Sequence, residues 1–463
     1  VTAAGRSLVV VGGGIAGLAA AWEAAVSGAT DVTVLEATDR LGGRIRTSAV
    51  DGLAVDEGAD AFLARVPWAL DLCRELGLDD ELVSPVTGNA YVYSRGGLRP
   101  LPATHVLGVP LDLDELADGG IVSAAGVAEA RRCIEAAGPE VGDDTIGVVL
   151  RRQVGAEVTA RLVDPLVGGI NAGDTERLSL RAVVPQLAEA AEHRDGLVAG
   201  LRALRASHPP DPAAPVFAGL PGGTERLVTV LGARLVDAGA TVRTDSPVRA
   251  LAGPAGGGHR LSVGASGDET ITADRVVLAT PAPVTAGLIA PGAPGAATAL
   301  ESVEHASVAL VTLVVDAADT GRALDGSGFL VPRAEGLDVT ACSWASSKWA
   351  HLRTDDRVVL RASVGRAGSA GALEGDDDGL VELVRRDLAT TMGLEGEPRA
   401  ARVSRWPRSF PQYAPGHLDL VDRIEAELAD RLTGVAVAGW TYRGIGIPAC
   451  IRTGREATRR LLA

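Results

Sequence analysis

The sequence predicts an α/β protein in which a βαβ unit is joined to a mainly helical region and a β-rich region. Three observations carry that expectation. Leu8 to Val11 is a short β-branched run ending in Gly12-Gly13-Gly14, an Ala-rich helical stretch covers Ile15 to Val26, and Asp31 to Leu35 alternates as a strand that ends on Glu36. Amphipathic stretches between about Val122 and Ala206, punctuated by Gly and Pro, read as helices. Val308 to Val315, Val339 to Trp344 and Val358 to Val364 have the length and composition of strands.

The other elements follow in order. Trp68 to Leu76 has a helical pattern, and Ala90 to Leu101 reads as a hairpin turning at Gly96-Gly97. The Pro-rich stretch Ser207 to Pro221 is stiff extended chain, and a domain boundary is placed there. Beyond it come a helix from Thr224 to Asp237, a strand Thr241 to Arg243, a Pro/Gly-rich hairpin region and a strand Arg275 to Leu278. Pro291 to Gly295 introduces the β-rich region. The acidic run Asp376 to Asp378 precedes a helix Leu380 to Leu388 and reads as solvated residues at a helix N-terminus rather than a metal site. Val435 to Ala438 is a buried-type strand feeding a helix from about Pro448 to Leu461. No repeat is visible.

Composition narrows the function. A chain of 463 residues has room for two or three domains, and 46% hydrophobic with 22% charged residues is ordinary globular usage. Lys plus Arg total 44 against 59 Asp plus Glu, a net −15 with no basic block, so nucleic acid is not an expected partner. Lys348 is the single lysine, so positive charge is almost wholly guanidinium. The cysteines (Cys73, Cys133, Cys342, Cys450) form no C-x-x-C pair; neither a disulfide framework nor a zinc site is expected, and a reducing cytoplasmic setting fits. No apolar run reaches the roughly 18–20 residues of a spanning helix. Val1 to Ser7 lacks the layout of a signal peptide, so neither membrane spanning nor export is expected.

Gly12-x-Gly14-x-x-Gly17 lies between strand and helix, and Glu36 ends the next strand. This is dinucleotide-site spacing: Gly12 allows the tight turn, Gly14 lets a pyrophosphate approach the backbone, and Gly17 permits close helix packing. The helix N-terminus that follows then supplies N–H donors and a positive dipole end to the phosphates. Glu36 accepts hydrogen bonds from ribose hydroxyls. The continuation Arg40-Leu41-Gly42-Gly43-Arg44 favours a flavin over a nicotinamide dinucleotide, because Gly43 lets the chain fold back over the pyrophosphate and Arg44 reaches a phosphate oxygen.

This layout resembles the FAD-dependent amine-oxidase superfamily, whose FAD domain is of the doubly wound glutathione-reductase type. The Gly439 to Ile451 segment, with Gly444-Ile445-Gly446-Ile447-Pro448, together with Asp164 to Asp174, resembles the porphyrinogen oxidases within it. Further similar stretches are Gly58 to Arg65, Leu178 to Leu180, Thr340 to Trp344, Lys348 to His351, Arg405-Trp406 and Pro411 to Tyr413, in family order over nearly the whole chain. The resemblance implies a discontinuous FAD-binding domain (1–60, 218–290 and 404–463), a mixed-sheet substrate domain (61–88, 180–217 and 291–403) and a helical subdomain (89–179). It implies FAD contacts at Gly12 to Gly17, Glu36, Gly43, Arg44, Gly58, Ala59, Asp60, Ala61, Val248, Trp406, Gly439 and Ile445 to Ile447. The last helix then faces the flavin N1–C2=O edge, where charge collects on reduction.

For the substrate, the resemblance implies that Asp164 to Asp174 lines the cavity with backbone near Gly169 facing the macrocycle. Asn171 stands where an aromatic or apolar residue is frequent, and Val66 replaces a basic residue of the Gram-positive type. Arg65, Lys348 and Arg443, with Arg95 and Arg177, are the expected carboxylate contacts. The implied reaction is six-electron oxidation of coproporphyrinogen III to coproporphyrin III in haem biosynthesis. It proceeds as three hydride transfers to FAD, with dioxygen as acceptor, peroxide as by-product and no side-chain nucleophile or metal. Protoporphyrinogen IX oxidation is the alternative, an amine oxidase the next, and a non-catalytic FAD-binding porphyrin carrier the last. A monomer or homodimer, at most peripheral membrane contact, and hand-over to a downstream haem-pathway enzyme complete the expectation.

Overall fold

The computed structural model describes residues 7–28, 31–207, 209, 211, 214–253, 258–369 and 371–463. Val1 to Arg6, Pro210 and Pro212 of the Pro-rich stretch, and 254–257 of the predicted hairpin region lie outside the described residues.

Five short strands form a parallel sheet in the order Thr241–Arg243, Asp31–Leu35, Ser7–Val11, Arg275–Leu278, Val435–Val437. Because side chains alternate across a strand, Leu8 and Val10 enter one core and Val9 and Val11 the other. The first core receives the first helix (Ile15–Val26) and the last helix (Ile447–Leu462). The second receives helices Ala282–Ile289, Pro294–Glu301 and His417–Arg431 and a three-stranded antiparallel sheet beginning at Val248. All five strands end at one edge, where Gly12, Glu36, Ala279 and Gly439 emerge together.

A seven-stranded mixed sheet runs Ala400–Pro411, His305–Asp316, Arg357–Val364, Val339–Trp344, Gly328–Leu330, Tyr91–Ser94, Gly97–Pro100. Leu380, Val384, Leu388 and Met392 of helix Asp377–Met392 cover it. Asp376 caps that helix by accepting from Gly379 N (2.9 Å), as the solvated-terminus reading requires.

Backbone pairing departs from the expectations at four places. The hairpin at 91–100 turns at Arg95-Gly96, both at positive φ, not at Gly96-Gly97. It belongs to the mixed sheet through Phe329↔Tyr91, not to a helical unit at 89–179. Residues 404–411 likewise pair with His305–Asp316, although they were assigned with the FAD domain. Within the Pro-rich stretch, Phe217–Ala218 pairs with Phe62–Leu63, so that segment is partly strand.

The middle region is helical, with one departure: Thr159–Gly168 winds as a π-helix. Pro165 lies inside it, and a proline lacks the N–H and crowds the preceding turn, which a wider turn relieves.

The first and last helices meet at backbone distance. A Cβ at Gly454 would stand 2.1 Å from the Ala16 carbonyl oxygen. Thr458 Oγ1 donates to Ala20 O (2.9 Å), and Arg459 donates to the buried Glu23 (2.6 Å). Gly454→Ala is expected to destabilise the chain by about 1–3 kcal/mol through overpacking, measured by denaturant unfolding. An unchanged midpoint would show that the helices separate without cost.

Candidate functional site

The glycine loop has the geometry its spacing predicts. Gly12 sits at φ +107°, and a Cβ there would lie 2.6 Å from Ala279 O; one at Gly17 would lie 1.9 Å from Gly12 O. Gly14 differs, since its backbone is extended and nothing stands within 4 Å of where its Cβ would be. The first two glycines thus serve packing, and the third keeps a space open at a helix N-terminus. That helix begins without a side-chain cap or an acid in its first turn, leaving its first N–H groups as an anion cradle. Ile15 and Ala16 are buried behind it.

Glu36 is held under the loop. Gly13 N donates to its Oε2 (2.7 Å), and Thr38 N and Oγ1 donate to its Oε1 (2.9 and 2.8 Å). A carboxylate offers about four acceptor positions, so room for a ribose hydroxyl remains. Ser246 N donates to Glu36 O (2.8 Å), which brings Val248 close by at the start of its strand. Gly42 N donates to Gly13 O (2.8 Å), and Gly43, at φ +58°, lies over Gly14.

A second wall faces this cradle. Trp406 Nε1 donates to Glu57 O (2.7 Å), beside Gly58. The Arg44 guanidinium stacks 3.7 Å from the Trp440 ring centroid and donates to Ser409 O (2.6 Å). Arg44, expected to pair with a phosphate oxygen, thus lies at the edge of this wall. Burial draws its pKa down to about 10, so it stays charged at neutral pH. The turn at Gly444 is pinned by Tyr413, whose hydroxyl donates to Trp440 O and accepts from Gly444 N (3.0 Å). Gly439 (φ +116°) packs toward Ala16, and Ile445, Gly446 and Ile447 lead into the last helix with Pro448 in its first turn. Burial pushes the Cys450 thiol there up to about 12.

The segment from Gly58 to Ala61 is rigid. Ala59 O accepts from Thr224 Oγ1 (2.9 Å), and Arg361 donates to Asp56 O (2.8 Å) and to Gly58 O. The carboxylate of Asp60, a residue expected as a cofactor contact, accepts from Lys348 Nζ (3.0 Å) and Trp349 Nε1 (3.0 Å) and pairs with Arg361 (3.0 Å). Burial alone would raise its carboxyl, but the charges of Lys348 and Arg361 and the hydrogen bonds outweigh it and hold it below the ordinary carboxylate range.

Most expected carboxylate contacts are committed elsewhere. Lys348 is the partner of Asp60, and Arg443 pairs with Asp422 (2.7 Å) and Glu425 (3.0 Å), because a partly buried cation is stabilised by the nearest carboxylate. Arg177 pairs with Glu304 and Arg95 donates to Val122 O. Asn171 is buried and donates to Val167 O (2.8 Å), closing its own turn. Arg65 is exposed and has no partner among the described residues. The structure adds groups that the motifs did not mark: Trp440 under Arg44, Arg361 behind Gly58, and Arg366, which follows a buried strand and lines a cleft with Asp164, Gly168 and Gly169. The one available signal for Arg361 was an arginine directly after the apolar run Val358-Val359-Leu360, inside the strand Arg357–Val364.

Among the described residues no group of side chains is arranged to hold a metal ion, and no helix is long and apolar enough to cross a membrane. A dinucleotide cradle at the carboxyl edge of a parallel sheet, joined to a mixed sheet and helices, defines an oxidoreductase fold of the FAD-binding type. The family model for flavin containing amine oxidoreductases matches residues 15–462, and the chain belongs to that family. It is 32% identical to the coproporphyrinogen III oxidase of Bacillus subtilis over 98% of this chain and 97% of that protein. With the coproporphyrinogen III oxidase of Mycobacterium leprae it shares 37% identity over 99% and 98%. A crystal structure of a provisionally named protoporphyrinogen oxidase from Exiguobacterium sp. 255-15 superposes with a TM-score of 0.86 at 31% identity, covering 98% of each chain.

Two outcomes follow from this geometry. Gly14→Val is expected to leave the fold unchanged, since open space receives the side chain, yet to yield colourless protein where the parent binds flavin; a variant isolated with full yellow colour would contradict the cradle. Asp60→Asn is expected to cost about 3–5 kcal/mol at pH 7 by stranding Lys348 and Arg361. Since the Asp60 pKa is depressed in the folded state, that contribution is complete above about pH 4 and fades as pH falls below it. Unfolding curves at pH 7 and pH 3 should show the gap between parent and variant narrowing at the lower pH.

Proposed function

We propose that this chain oxidises a porphyrinogen by FAD-linked chemistry, with coproporphyrinogen III as substrate and coproporphyrin III as product. The observation that carries the reading is similarity along the whole chain, at 32% and 37% identity, to coproporphyrinogen III oxidases. The site's chemistry agrees with it. The buried thiols of Cys73, Cys342 and Cys450 are pushed up to about 12 by burial, so none is a thiolate nucleophile at neutral pH. His305, His351 and His417 are shifted down, chiefly by burial, and stay neutral near pH 7.

The residues fit FAD. The open space at Gly14 and the uncapped N–H groups of the first helix take the pyrophosphate, and Glu36, fixed by Gly13 and Thr38, takes a ribose. The last helix, beginning at Ile447, presents its positive end where negative charge gathers. When bound, FAD supplies the two-electron acceptor that dioxygen regenerates, three times per porphyrinogen. What remains for the protein is positioning: Trp406, Trp440 and the Tyr413-pinned turn hold one wall, and the segment Asp164 to Gly173 the other.

An amine oxidase would place an aromatic pair over the flavin from the turn at 440–442. Here Tyr442 is buried in the core on the other face of the sheet, leaving Trp440 alone. On the proposed reading the protein works in the cytoplasm and passes its product to the next haem-pathway enzyme.

Mixing the flavin-loaded protein anaerobically with each candidate substrate tests the assignment. Coproporphyrinogen III is expected to bleach the flavin fastest, protoporphyrinogen IX more slowly, and a diamine not at all. Bleaching by the diamine, with both porphyrinogens inert, would replace this function with amine oxidation.

A further inference from the structure

We propose that the consecutive residues Gln412 and Tyr413 are positioning residues that set the spacing between the substrate segment Asp164 to Gly173 and the flavin-facing turn Gly439 to Ile447; this rests on the porphyrinogen reading above. Both follow directly on strand Ala400–Pro411, which carries Trp406. Their backbone is anchored on two sides. Gln412 N donates to Glu304 O (2.8 Å), and Tyr413 O accepts from Ser179 N (2.7 Å).

Tyr413 holds the turn. Its hydroxyl, on a buried side chain, donates to Trp440 O and accepts from Gly444 N (3.0 Å), so it works as donor and acceptor at once. Its ring stacks on His417 with centroids 4.0 Å apart, and His417 Nε2 donates to Tyr442 O (2.9 Å). Residues 440, 442 and 444 are thus each fixed through a backbone group, just ahead of Gly446, the N-cap of the last helix. The direction in which that helix points its positive end depends on this turn.

Gln412 holds the substrate segment. Its amide Nε2 donates to Asn171 O (3.2 Å) and to Phe410 O (3.0 Å). Gly173 lies over the same amide, since a Cβ there would stand 2.9 Å from Gln412 Oε1. Every hydrogen bond made by the two side chains ends on a backbone group, so each fixes the path of the chain and not a rotamer. Neighbouring Cα atoms are held about 3.8 Å apart by the peptide bond, and the substrate segment and the flavin turn therefore share one stiff link. A reaction between two bound groups is sensitive to such a link, because a displacement of about 1 Å costs about 100-fold in rate.

The test uses flavin-loaded protein and two readouts: the flavin midpoint potential, from dye-coupled anaerobic reduction, and the anaerobic rate of flavin bleaching over a range of coproporphyrinogen III concentrations. Tyr413→Phe keeps the ring and removes the hydroxyl. The loosened helix end is expected to favour reduced over oxidised flavin about 3- to 10-fold less, a potential about 15–30 mV lower. Gln412→Met keeps the length and removes the amide donor. It is expected to leave the potential unchanged and to slow bleaching at saturating substrate about 10- to 100-fold, with half-saturation little moved. Should Tyr413→Phe fail to accumulate, His417→Phe, which keeps a ring against Tyr413 and removes the bond to Tyr442 O, is expected to lower the potential in its place. An unmoved potential in the Tyr413 or His417 variant, or an unmoved bleaching rate in Gln412→Met, would overturn the proposal and leave the proposed function intact. A Gln412→Met variant whose potential falls as far as that of Tyr413→Phe would also overturn it, since the two residues would then share one general structural role. If coproporphyrinogen III does not bleach the parent, the porphyrinogen reading itself fails and takes the role of Gln412 with it, while the potential still decides the role of Tyr413.

Discussion

The site depends on one close approach, the backbone contact between the first helix and the last. Gly17 lies against the Gly12 carbonyl and Gly454 against the Ala16 carbonyl, so three layers of chain stack with no side chain between them. Only this spacing brings the turn at Gly439 to Ile447 over the loop at Gly12 to Gly17. Half-buried ion pairs flank it, with Arg459 on Glu23 of the first helix (2.6 Å) and Arg455 on Glu75 of helix Pro67–Leu76 (2.6 Å). Two helix N-termini, more than four hundred residues apart in sequence, then point into one space. A dinucleotide bound there, with phosphates at one end and redox charge collecting at the other, would meet both dipoles.

Electrostatics set a second constraint. A net charge of −15 repels an anionic tetrapyrrole at long range, and arginine supplies nearly all the compensating charge. Most of those cations are already spent inside the protein. Lys348 and Arg361 neutralise Asp60 and thereby fix the segment from Gly58 to Ala61, and Arg443 anchors the last turn to helix His417–Arg431. Counting charges therefore says little about attraction at the cavity. What matters is which guanidiniums remain unpaired after folding, and the exposed Arg65 is one of these among the described residues.

This distinction explains what could be read from the amino-acid order. The βαβ unit was legible almost to the residue, because a β-branched run, a glycine triplet and an alanine-rich helix are local signals: Ile15–Val26 and Asp31–Leu35 match their predicted bounds. Thr241–Arg243 and Arg275–Leu278 were equally plain. Partnership was not legible. Nothing within 91–100 says that it pairs in parallel with Gly328–Leu330, and nothing near Lys348 says that Asp60 waits 288 residues away. The π-helix around Pro165 was hidden for a similar reason. A proline in a helical pattern reads as a break until packing on all sides, with Val158, Leu162, Val163 and Val167 wholly buried, makes continuation with a wider turn the better solution.

That wider turn prepares the substrate side. An α-helical turn, Gly169–Asn171, continues it and ends at Ala172, a non-glycine residue held at φ +46°, a conformation that costs of order 1–3 kcal/mol and persists only when its surroundings demand it. Glycine would relieve the strain, yet the methyl group packs with Ala306 and Val308 beside Trp406. The left-handed turn also aims the Ala172 carbonyl at Ala367 N, and so ties the loop after strand Arg357–Val364 to the turn that follows the π-helix. One strained alanine thus ties the wall at Trp406 to the loop that follows strand Arg357–Val364. A protein that leaves redox chemistry to a cofactor must supply this kind of rigidity, because the distance between a ring carbon and its acceptor is the quantity it controls.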